Sequence, residues 1–142
     1  MSAENPSKRN VYISFDHSDI KEVNLLRAQA LNSHTDLEFI DRSIQAALPI
    51  RNKNLIKDEI RRRLVNVSVT LIYISDVTHR SNWVEWEARE SINMNKGILA
   101  FHKGSTPPVT MPDWIDELGI KVMPWSQASL TAAIESAAQY RN

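Results

Sequence analysis

Ser68-Val69-Thr70-Leu71-Ile72-Tyr73-Ile74 runs into the polar stretch Ser75 to Arg80, and then into Ser81-Asn82-Trp83-Val84-Glu85-Trp86-Glu87-Ala88. The first segment is short, apolar and rich in β-branched residues, as a strand buried on both faces requires. The last opens with helix-capping chemistry. Ser81 or Asn82 can accept a hydrogen bond from the first free backbone N–H groups, and Asn82 with Glu85 approximates a capping box. Strand, loop and helix therefore follow one another here. At about 100° per residue, Trp83, Val84, Glu87, Ala88, Ser91 and Met94 share one arc of that helix. Glu85, Trp86, Arg89 and Asn93 fall on the other. Glu87 thus lies within an apolar face, where a carboxylate is costly unless paired, hydrogen-bonded or protonated. Two readings of it stand side by side: a rim carboxylate paired with an arginine, or a group pointing into a ligand cleft with Trp83 as a wall.

Working outward, the same alternation recurs along the chain. Residues 1–9 are polar and read as a flexible lead, and residues 10–142 as a single domain. Val11-Tyr-Ile-Ser-Phe15 is a strand, and Ser18 or Asp19 opens a helix with Ile20, Val23, Leu26 and Ala30 at helical spacing. Leu37–Ile40 is a second strand. The polar segment 41–53, with Pro49, is a long loop, and long loops in compact domains are often functional. Asn54 caps a helix carrying Ile56, Ile60 and Leu64. After the central unit come a strand at Gly97–Phe101, a Pro-rich loop at 105–112, a short helix at Trp114–Leu118 and a strand at Ile120–Met123. A last helix, opened by Ser126, carries Leu130, Ala133, Ile134 and Ala137. About five strand–helix alternations predict an α/β three-layer sandwich with a parallel sheet. The flavodoxin-like strand order 2-1-3-4-5 suits this length. It opens a crevice at the carboxyl ends of strands one and three, where Asp16-His17-Ser18 and Asp76–Ser81 meet.

Composition excludes several functions. Seventeen Lys+Arg balance seventeen Asp+Glu, so no overall field favours nucleic acid or an acidic membrane. The absence of cysteine removes disulfides, thiol nucleophiles and thiolate metal sites. No apolar run approaches the ~20 residues of a spanning helix, and residues 1–9 lack the apolar core of a signal peptide; a cytoplasmic protein is expected. His17, His34, His79 and His102 show no metal-ligand spacing, so no metal is expected. Arg61-Arg62-Arg63 reads as a solvated helix end, where cations meet the dipole favourably. Ser14, His17 and Asp19 lack the nucleophile elbow of a hydrolase triad. Trp86, on the polar arc, either covers a neighbour or offers a self-assembly contact.

Ser81-Asn82-Trp83-Val84-Glu85-Trp86-Glu87 resembles the Ser-x-Trp-Cys-x-x-Glu motif of Toll/interleukin-1 receptor (TIR) domains, with Val84 in the Cys position. It is closer still to TIR-like proteins of bacterial antiviral systems such as Thoeris, where Trp-Val-x-Trp-Glu is the usual form. Val11–Phe15 resembles the first TIR box. Asp41-Arg42-Ser43 stands where the second box carries Arg-Asp, with the order reversed and the Pro-Gly missing. Phe101-His102-Lys103 represents the third. These departures bear on receptor-adaptor signalling of the animal kind, and leave the fold untouched.

The resemblance implies a flavodoxin-like TIR fold and an NAD-processing enzyme of a bacterial antiviral defence system. NAD is its substrate, with no permanently bound cofactor. Glu87 maps to the catalytic glutamate. Phe15, Asp16, His17, Ser75, Ser81 and Trp83 map to the substrate-binding region, and Asp41 and Arg42 to the loop that completes the site between two copies. The expected product is a cyclic ADP-ribose-type signal for a separate effector, made by a homo-oligomer formed on activation. The chemistry suits the residues: loss of neutral nicotinamide leaves an oxocarbenium-like ribose that a carboxylate can stabilise. An indole face can hold the cationic ring, although Trp83 also fits a core position. Two rivals stand beside this. One is a TIR module that only assembles with partners. The other is a receiver-like phospho-acceptor switch using Asp16, Asp19, Asp76 and Lys121.

Overall fold

The apolar run after Ser68 becomes the central strand of a five-stranded sheet. The computed structural model describes residues 9–33, 37–41, 52–126 and 130–139. Strands β1 (Arg9–Ser14), β2 (Leu37–Asp41), β3 (Val69–Tyr73), β4 (Gly97–His102) and β5 (Val122–Pro124) lie in the order β2-β1-β3-β4-β5. Every neighbouring pair is parallel. This is the expected topology.

Strand periodicity sorts the side chains into two faces. Val11, Ile13, Phe15, Val69, Leu71, Tyr73, Leu99 and Phe101 pack against α1 (Ile20–Ser33) and α5 (Leu130–Gln139) through Val23, Leu26, Ala30, Leu130, Ile134 and Ala138. The opposite face carries α2 (Lys53–Val65), α3 (Asn82–Asn93) and α4 (Asp113–Glu117). There Ile72, Ile74 and Ala100 meet Val84, Ala88, Trp114 and Ile115, while Tyr12 meets Ile60 and Leu64. All five β3 residues are buried, as their apolar composition demands.

Several boundaries differ from the sequence reading. Asn52, not Asn54, caps α2, its Oδ1 accepting from the Asn54 and Leu55 amides. Ser81 caps α3, so Asn82 is already helical; Glu85 pairs with Arg89 at 3.0 Å, and no Asn82–Glu85 box forms. β5 begins two residues later than expected. Ile120 joins the Trp114–Ile115 cluster, its amide donating to the Ile115 carbonyl. Trp86 covers a neighbour, the first of its two readings. It is half-buried beside the Tyr12–Ile60–Leu64 cluster, with Trp83 edge-on at 5.9 Å and Lys57 and Arg61 over its ring at 5.4 and 5.3 Å. Arg61 also bonds Glu90 of α3 at 2.9 Å and Asp58 at 3.0 Å, and Arg62 pairs with Glu59 at 2.6 Å. The arginine run thus closes α2 and joins it to α3. The expected lead at 1–8, the expected loop residues 42–51 with Arg42, and residues 127–129, at the expected start of the last helix, lie outside the described residues.

Candidate functional site

Glu87 is 1% exposed. It sits on the second turn of α3, facing the carboxyl half of β1 rather than the protein rim. Tyr12 donates its hydroxyl to Oε2 at 2.5 Å, and Ser14 donates to Oε1 at 2.6 Å. The two donors are two residues apart on β1, so both point to the same side of the sheet. One strand therefore supplies a hydroxyl to each oxygen of a buried carboxylate, which answers the cost of burying it. The backbone of Glu87 is also fixed. Ser91 donates its Oγ to the Glu87 carbonyl at 2.8 Å, which leaves Thr70 of β3 as the donor to Ser91, at 2.7 Å. All four polar partners are buried: Tyr12, Ser14, Thr70 and Ser91.

Trp83 lies one turn before Glu87, half-buried against the cluster of Tyr12, Ile60, Leu64 and Val67. It is a wall to the core around the carboxylate and keeps an exposed portion. Replacing it with alanine is expected to cost about 2–3 kcal/mol, below the value for full burial. Trp83→Phe, which keeps an aromatic face, should retain more of that stability. Melting curves on the two variants check this, and an alanine variant that melts with wild type would show that Trp83 does not pack on the cluster as described.

The crevice loops are tied to one another. Ser75 donates to Asp19 at 2.6 Å, and the Val77 amide donates to the Ser75 hydroxyl at 3.3 Å. Asp16 caps the short turn His17–Asp19, accepting from the amide and hydroxyl of Ser18. Burial raises the Asp19 carboxyl above its ordinary value. Ser75 opposes that, while Asp16, Glu22 and Asp76 add to it. Tyr73, on the α1 side, is pushed up to about 12 by burial and then by Asp19 and Glu22. The crevice mouth is therefore acidic. Among the described residues no three His, Asp or Glu side chains converge on a metal position.

Of the sequence candidates, Glu87 and Trp83 share one site, while Asp16 and Ser75 both adjoin Asp19 at the crevice mouth. Ser81 acts as a helix cap, its Oγ accepting from the Val84 amide at 3.4 Å. His17 is exposed. Phe15 is not beside Glu87: it is 5% exposed and belongs to the core on the α1–α5 side, because odd positions of β1 face that way. Asp41 ends β2, level with Ile13 of β1. Sequence reasoning missed Tyr12 and Ser14. Their signal was present, as two hydroxyl-bearing residues alternate on one face of an otherwise apolar strand. A separate cavity of about 520 Å³ lies at the amino ends of β4 and β5, lined by Gly97, Gly119, Lys121 and Ala137 among others, away from Glu87.

Topology and site define a flavodoxin-like α/β domain with an inward carboxylate on the helix after the central strand. The chain belongs to the family of the TIR-like domain of the Thoeris protein ThsB, whose model matches residues 12–107. That span contains Tyr12, Ser14, Trp83 and Glu87. Among solved structures, a conserved protein from Enterococcus faecalis V583 is similar at 12% identity and a TM-score of 0.66, over 92% of this chain and 99% of that one. The FeoB G-domain from Methanococcus jannaschii is similar at 14% and 0.55, over 94% and 98%. A 2-desoxiribosyltransferase from Leishmania mexicana is similar at 14% and 0.52, over 79% and 72%. At these identities the likeness concerns the fold alone. A comparison with curated proteins gave no match. No helix among the described residues is long and apolar enough to cross a membrane.

Proposed function

We propose that this defence-system TIR-like domain cleaves the bond between nicotinamide and ribose in NAD. The observation that carries the reading is the buried Glu87 carboxylate, held by Tyr12 and Ser14 at the carboxyl end of β1. The C1′–N bond breaks with its electron pair leaving on nicotinamide, which becomes neutral. The cationic ribosyl C1′ is then stabilised by the carboxylate in a site of low dielectric. Capture by water gives ADP-ribose; capture by a nucleophile within the same molecule gives a cyclic ADP-ribose-type product, the form suited to signalling a separate effector. The acidic mouth formed by Asp16, Asp19 and Asp76 favours the cationic nicotinamide and disfavours the diphosphate. The diphosphate then calls for cations beyond these residues, and Arg42, which the resemblance assigns to completing the site between two copies, is the candidate.

Incubation with NAD followed by mass spectrometry of the products tests the activity. If two copies complete the site, nicotinamide released per chain rises with protein concentration or with a bound activator. Specific activity already maximal in a strictly monomeric sample rules out the shared site. A second reading, a non-enzymatic assembly module, is favoured by the occlusion of Glu87. It predicts self-association without nicotinamide release at any concentration.

A further inference from the structure

The hydrogen bonds that Tyr12 and Ser14 give Glu87 are chemically unequal. Tyr12 is fully buried and its ring is packed among Ile60, Leu64 and Val67, so its hydroxyl cannot leave Oε2 without moving the ring through that cluster. Ser14 is the last residue of β1, two positions nearer the crevice, and its hydroxyl turns on a single side-chain bond. Oε2 is thus the inner, anchored oxygen. Oε1 is the outer one, and its donor can rotate away at the cost of one exchanged hydrogen bond.

We infer that Tyr12 is the positioning residue that fixes the Glu87 carboxylate, and that Ser14 is an exchangeable donor whose place on Oε1 is taken by a hydroxyl of the substrate ribose. This rests on the proposed cleavage of NAD. In the free protein Ser14 satisfies the outer oxygen, and Ser14 and Glu87 are both 1% exposed, so the exchange accompanies an opening of the crevice above them. On binding, the ribose hydroxyl donates to Oε1 as Ser14 turns its own hydroxyl elsewhere. No proton changes owner and no covalent bond is made in this exchange. Oε2 keeps its bond to Tyr12 throughout, so the carboxylate plane stays aimed while its outer oxygen is handed to the substrate.

The two donors therefore respond to removal with opposite signs. Tyr12→Phe keeps the packing but releases the inner oxygen, and a carboxylate free to swing lowers kcat by about 10²-fold. Ser14→Ala removes the competitor for Oε1. A net hydrogen bond of ~1 kcal/mol no longer has to be exchanged, so KM falls by about fivefold and kcat/KM rises. The experiment is steady-state nicotinamide release by wild type, Tyr12→Phe and Ser14→Ala under one activating condition, with melting curves on all three. Opposite movements of kcat/KM support the exchange. A fall in kcat/KM for Ser14→Ala in a folded protein overturns it, and that arm decides the matter even if Tyr12→Phe does not fold. A wild type that releases no nicotinamide under any condition instead overturns the NAD reading. An active wild type with two equally damaged variants leaves that reading standing and removes the division of roles.

Discussion

Glu87→Gln is expected to abolish nicotinamide release while leaving the melting temperature close to that of the wild type. Glutamine keeps the volume of the side chain, and its carbonyl oxygen still accepts from Tyr12. Its amide donates to the Ser14 hydroxyl oxygen, so each buried hydroxyl keeps one hydrogen bond, Tyr12 as donor and Ser14 as acceptor. On the proposed cleavage, the negative charge that would stabilise a developing ribosyl cation is gone, and a loss of at least about 10³-fold follows. Glu87→Ala is the less informative change, because two buried hydroxyls would lose their acceptor at ~1–3 kcal/mol each. Glu85 is the control. It lies on the outer arc, paired with Arg89, and surface ion pairs of that kind contribute ~0–1 kcal/mol. Nicotinamide release by Glu85→Gln should therefore match wild type. Equal loss in the two glutamine variants would remove Glu87 from its role.

The second large effect is on the fold alone. Gly97 opens β4 level with Val69, and a Cβ added there would lie 2.4 Å from the Ala137 carbonyl oxygen and 2.7 Å from its carbon. Those atoms are helix backbone, so no rotamer change relieves the clash and α5 must lift from the sheet. Gly97→Ala is expected to cost about 3 kcal/mol and to lower the melting temperature by about 10 °C. Gly97 is at the amino end of its strand and the Glu87 site at the carboxyl ends. Nicotinamide release per folded molecule should accordingly survive. A melting temperature within a degree or two of wild type would show that α5 does not pack against the sheet as described.

How much of this was legible depends on the range of each interaction. The strand at 69–73 and the inward arc of Val84, Glu87, Ala88 and Ser91 are local patterns, and all four arc residues are buried. The partners of Glu87 were not legible in that way. The inward arc says that the carboxylate needs donors, but β1 enters only through the strand order. Trp86, on the polar arc, covers a neighbour, one of the two readings open to it, and the reason is again a neighbour distant in sequence. A helix that packs only on a sheet buries one arc, whereas α3 also leans on α2, and this second neighbour widens its buried face to include Trp86. The start of β5 was missed because Ile120, apolar enough for a strand, had a better place against α4. Phe15, just after β1, continues the parity of that strand and packs into the core on the α1–α5 side.

The hydrogen bonds that hold Glu87 join residues 75 and 73 positions apart in the chain. Contacts of such long range close late, since the entropy of a large loop must be overcome before they form. α3 can coil and β3 can pair with β4 using nearer neighbours, yet the carboxylate acquires its donors only when β1 has docked against β3. A partly folded chain can therefore have most of its helical signal and most of its core, and still lack the site. Recovery of function during refolding should trail recovery of the circular dichroism signal, and any fragment beginning after Ser14 should fold, if at all, without it.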